Sequence, residues 1–87
     1  MPRATREMHD TCLAACRTLK AADPTLYARA MDRAHPPASG TQEHALMLDV
    51  MALDAVASGW AASMHVSERD MTRAAAVLVR LGVRPGA

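Results

Sequence analysis

Eighty-seven residues leave room for one domain, and a domain this small buries only about 60% of the surface its unfolded chain exposes, so its stability is marginal. The chain is 51% hydrophobic with one Trp, one Tyr and no Phe; alanine, leucine and seven methionines make up the apolar mass, and these are helix formers rather than strand formers. A formal net charge of +1 excludes any global electrostatic pull toward nucleic acid or an anionic membrane, so neither is expected as a partner without a local argument.

The opening segment Met1-Pro2-Arg3-Ala4-Thr5-Arg6-Glu7 is polar and carries no apolar stretch of the kind a secretory signal needs, which points to a cytoplasmic chain with reduced thiols. A first helix is expected from about Thr5 to Ala22. Met8, Cys12, Ala15, Cys16 and Leu19 then form a buried stripe at helical spacing, with Arg6, Asp10, Arg17 and Lys20 left for water. On the same helix His9, Cys12 and Cys16 return to one face at steps of three and four residues. Two cysteines four apart on one helix are poorly placed for a disulfide, so this stripe reads as soft-metal ligands or as plain core.

Asp23-Pro24 is a helix start, because Asp accepts orphan amide bonds and Pro is preset for the first helical position. A second helix would cover Pro24 to about Ala34, with Leu26, Tyr27, Ala30, Met31 and Ala34 apolar. The same proline could instead kink one long helix, and the sequence leaves that choice open. Pro36-Pro37 and Gly40 then enforce a loop.

The third helix is the spine, from Thr41 as N-cap to about Met64, some 23 residues or roughly 34 Å. Leu46, Val50, Leu53, Val56, Trp60 and Met64 share a broad face, while Ala52, Ala55, Ser58, Gly59, Ala62 and Ser63 occupy the other side. A helix apolar nearly all round needs cover on several sides, supplied within the chain or by a second copy. A homo-oligomer through this helix is therefore expected, and another protein partner fits the same surface.

Ser67-Glu68-Arg69-Asp70 resembles a capping box with Asp in place of Glu, and Val66 can staple onto Met71. A fourth helix then runs to Gly82, with Met71, Ala74, Ala75, Leu78 and Leu81 facing the core and Arg69, Arg73 and Arg80, extended by Arg84, on a solvated side. The architecture is an all-α, small antiparallel four-helix bundle, a single domain over 1–87 with its ordered core at about 6–82.

Chemistry is sparse. Asp49 and Asp54 lie about 140° apart around their helix and are no carboxylate pair, and there is no phosphate loop, C-x-x-C or H-E-x-x-H, so an enzyme is not expected. The arginine row has no Asn beside it to read bases and is diluted by Glu68 and Asp70. Cu(I) accepts two or three soft ligands, which Cys12 and Cys16 with His9 or Met8 could supply. Zinc wants four, and a fourth would have to come from His44, His65 or a partner chain. Against both stands the plain reading that free cysteines are small apolar core residues. Met8, Met31, Met47, Met51, Met64 and Met71 read, by the same reasoning, as flexible core filler more than as a Cu(I) lining.

Two segments carry a resemblance to a known family. His44-Ala45-Leu46-Met47-Leu48-Asp49-Val50-Met51-Ala52-Leu53-Asp54 is similar to the H-x-x-L-M-L-D-C-A segment of the cysteine-rich four-helix-bundle copper-storage proteins, and His9 to Cys16 resembles their H-x-x-C-x-x-x-C opening. The likeness spans most of residues 8–80. It implies a four-helix bundle, often oligomeric, whose interior thiolates hold many Cu(I) ions. The sequence departs from that pattern where Val50, Met51, Ala57 and Ala74 to Val77 stand at positions the alignment assigns to core cysteines. With Cys12 and Cys16 alone, the expected function is a non-enzymatic bundle with at most a low-capacity Cu(I) site; the alternative is a metal-free interaction or self-association module.

Overall fold

The computed structural model describes residues 5–62 and 65–83. They form four helices, α1 (Arg6–Ala22), α2 (Pro24–Ala30), α3 (Gln42–Ala61) and α4 (Glu68–Arg80), with no strand among the described residues. The protein is all-α, and α3 touches each of the other three helices. Ser63, Met64 and Arg84, assigned above to the spine and the arginine row, lie outside the described residues.

Each helix begins where a side chain can take up a free amide. The Thr5 hydroxyl accepts from the Met8 N–H at 3.2 Å and starts α1. Asp23 ends α1 with an extended backbone (φ −151°, ψ 86°), and its carboxylate accepts from Leu26 N–H at 3.0 Å to start α2. Pro24 therefore separates two helices instead of kinking one. The second helix is shorter than its apolar spacing suggests and stops at Ala30, four residues before Ala34. Asp32 gives the reason: Oδ1 accepts from the N–H of Ala34 at 2.9 Å and of His35 at 3.3 Å, a local turn that competes with helix continuation.

Thr41 restarts the helix after Gly40, which sits at φ +84°. Its hydroxyl accepts from His44 N–H at 3.1 Å and donates to the Ala38 carbonyl at 2.7 Å. The spine that follows has 20 residues, about 30 Å at 1.5 Å per residue, and ends at Ala61 rather than Met64. Val50, Ala52, Leu53, Val56, Ala57 and Gly59 are buried on it, whereas Ser58 and Ala62 of the small-residue side are exposed, so that side is covered only in part. Trp60 departs from its assigned place on the buried face and is 37% exposed.

On α4 the Ser67 side chain accepts from Asp70 N–H at 3.1 Å. The helix closes with Gly82 at φ +73°, the Gly82 N–H bonding to the Val79 carbonyl at 3.0 Å and the Val83 N–H to Leu78 at 2.9 Å. These two bonds are those of a Schellman cap, a role glycine fills without a Cβ penalty. The inward face of α4 is Ala74, Val77 and Leu78; Ala75, placed above on the core side, is exposed, and Val77 takes its share of the interior.

The core joins Cys12 and Ala15 of α1, Ala52, Leu53, Val56 and Ala57 of α3, Val66, and the three inward residues of α4. Its largest fully buried side chains are Leu53, Leu78, Val56, Val77 and Cys12. Alanines at these contacts let the helices approach closely and leave little apolar area per residue, which suits the marginal stability inferred from length.

Candidate metal centre and groove

The helical phase of α1 divides the four ligand candidates between different surroundings. Cys12 is 0% exposed and belongs to the core. One turn on, Cys16 is half-buried, packing partly on that core and partly on an open groove. Met8 packs against the core from the other end of the stripe. His9 turns away: its Nδ1 donates to Asp10 Oδ1 at 2.9 Å, and its ring stacks on Trp60 with centroids 4.6 Å apart and planes tilted by 42°. Among the described residues no group of three or more His, Cys, Asp and Glu side chains converges as a ready metal site. His44 is half-buried in the first turn of α3 and His65 is exposed ahead of α4.

Both thiols are held toward their protonated form. Burial, and then the neighbouring Cys16, push the Cys12 thiol from its ordinary value of 9.0 up to about 11. Burial raises Cys16 as well, reinforced by the Asp54 carboxylate and opposed by Arg17. The two cysteines stand one helical turn apart on α1, and neither is an activated nucleophile.

The groove that Cys16 enters lies between α1, α2 with the segment after it, and α3, and has a volume of about 680 Å³. Its walls include Met31, Met47 and Met51, together with Tyr27 and Asp54. Leu13, Met31 and Met51, three of the large apolar side chains left exposed by the fold, all lie on it. Met8 and Met71 do pack against the core, as filler should. Met31, Met47 and Met51 instead give a soft-donor surface beside a thiol. Met47 and Met51 are one turn apart on α3, so they share a face; their lack of a place in the core depends on how α2 ends, which spacing alone does not reveal.

A second constellation escaped the sequence reading. Asp49 is buried on α3, and two arginines from α4 close on it: Arg73 Nε donates to Oδ1 at 2.9 Å and Arg80 Nη2 to Oδ2 at 2.6 Å. Arg73 Nη2 also donates to the Ala45 carbonyl at 3.4 Å. Two members of the supposedly solvated arginine row are thus committed to an ion triad, leaving Arg69 exposed. The available signal was an acid amid apolar neighbours in the middle of α3, with arginines seven apart on α4 that share a helical face.

Compared with known proteins, the chain matches no family model, no curated protein and no solved structure.

Proposed function

We propose that this chain is a small, non-enzymatic, antiparallel four-helix bundle of the cytoplasm that binds about one Cu(I) per chain at the cysteines of α1. The observation that carries this reading is a gathering of sulfur: Cys12 and Cys16 stand one helical turn apart on α1, and Cys16 opens on a groove bearing three methionines. Thiolate and thioether are the donors that soft Cu(I) prefers, so the residues present fit the ion. Contacts of α3 with the other three helices support the bundle arrangement. The resemblance of residues 9–16 and 44–54 to copper-storage proteins supports the same ion, and the presence of only two cysteines limits the capacity.

Because the thiols are protonated when free, loading displaces protons, and apparent affinity rises with pH. Anaerobic titration of Cu(I) against a competing chelator tests the reading. Binding of about one equivalent is expected in the wild type, with loss in a Cys12→Ala/Cys16→Ala variant. Coincident curves for the two proteins overturn it.

A second reading has its own observation. Leu13, Met31 and Met51 expose apolar surface on one groove, which suits pairing with a second copy or a helical partner through the Met51 side of α3. Sedimentation velocity should then show an assembly that Met51→Glu dissociates; a strict monomer at high concentration excludes self-association.

A further inference from the structure

We propose that Cys16 shares its Cu(I) with the thioethers of Met47 and Met51 rather than with Cys12, so that the groove between α1 and α3 is the coordination site. The proposal rests on the Cu(I) reading above and narrows it: Cys16 stays a ligand, and thioethers of the groove take the place of Cys12.

Three observations lead there. Cys12 is 0% exposed within a core that also holds Leu53, Val56 and Leu78, so a metal at its sulfur would have to part that core. Cys16, by contrast, already lines open space together with Met47 and Met51. The remaining candidates of the first helix are engaged elsewhere, His9 with Asp10 and Trp60 and Met8 against the core.

Charge separates the two ligand sets further. Two thiolates on one Cu(I) leave a net negative centre in a low-dielectric interior, which is costly to desolvate. One thiolate with two thioethers leaves a neutral centre. In that arrangement the Cys16 S–H bond breaks, its proton passes to solvent and a sulfur–copper bond forms. The methionines donate lone pairs and lose nothing, and copper stays Cu(I), so no oxidant or reductant is required. Methionine has the rotatable bonds to close on an ion from an open groove, and Met51, 54% exposed, has the space to do so.

The test titrates Cu(I) anaerobically against a chelator in the full chain. It compares wild type with Cys16→Ala, Cys12→Ala, the volume-conserving Cys12→Val and Met47→Leu/Met51→Leu, each checked by circular dichroism. Cys16→Ala should abolish binding, and the paired leucine variant should weaken it by about tenfold or more. Both Cys12 variants should stay within about threefold of wild type, well short of a lost ligand. X-ray absorption should show a first shell of sulfur alone. The proposal is overturned if the leucine variant binds like wild type, if both Cys12 variants lose binding as Cys16→Ala does, or if nitrogen appears in the shell. Absence of binding by the wild type overturns the Cu(I) reading itself, and that outcome is distinct from the other three.

Discussion

Arg80 reaches from the last turn of α4 to Asp49 in the middle of α3, with Nη2 2.6 Å from Oδ2, and so closes a carboxylate that Arg73 already holds at 2.9 Å. Asp49 is nearly sealed from water, whereas both guanidiniums are partly hydrated. The arrangement is therefore asymmetric: losing the acid frees two cations to solvent, but losing both arginines strands a buried anion. Arg80→Ala should cost about 1 kcal/mol, because Arg73 remains in place. Arg73→Ala/Arg80→Ala should cost about 3–5 kcal/mol, more than the two single changes added together. Urea unfolding of the four proteins of this cycle measures the coupling, and simple additivity would show that the arginines act independently.

Cys12 ties stability to alkaline pH. Its folded-state value of about 11 lies above the ordinary 9.0, so the folded protein keeps a proton that the unfolded chain releases first. Stability from this group is complete below about pH 9 and falls as pH rises toward 11, by roughly 2 to 3 kcal/mol in all. Unfolding midpoints across this window should decline in the wild type and decline less in Cys12→Val. Equal slopes in the two proteins would assign the effect to other groups.

Two glycines provide a measure of backbone cost free from packing. A Cβ at Gly40 (φ +84°) or Gly82 (φ +73°) would meet no atom within 4 Å, so substitution brings only the strain of a left-handed conformation. Gly82→Ala should lower stability by about 1 kcal/mol, and Gly82→Asn by less. A larger loss on thermal melting would mean that the end of α4 rearranges.

Trp60 is the single tryptophan, and its ring lies on His9 at 4.6 Å, which makes its emission a reporter of the contact between α1 and α3. His9→Ala should raise Trp60 fluorescence with the far-ultraviolet circular dichroism unchanged. If intensity does not change, the two rings are apart in solution.

Helix starts were legible in the sequence because capping is local. Thr5, Asp23, Thr41 and Ser67 each satisfy an amide three residues on, and each can be identified from a few neighbours. Ends were less so: apolar spacing carried α2 to Ala34, whereas Asp32 captures the following amides and stops the helix at Ala30. The triad was illegible for a different reason. Spacing reads Asp49 only as no pair for Asp54, and Arg73 and Arg80 as a wet face, since their meeting depends on how α4 lies across α3. The same holds for Met47 and Met51, which periodicity reads as core and the short α2 leaves on a groove.

Cys12 and Cys16 sit one helical turn apart with very different access, and this turns the chain into its own clock. A thiol reagent in limited amount should mark Cys16 alone, giving a single handle above the groove without any engineered residue. The enclosed thiol reacts only when α1 lifts from α3 and α4, so its labelling rate in excess reagent reads the free energy of that opening. Comparing this rate with global unfolding would reveal whether the first helix detaches by itself or only when the whole domain does.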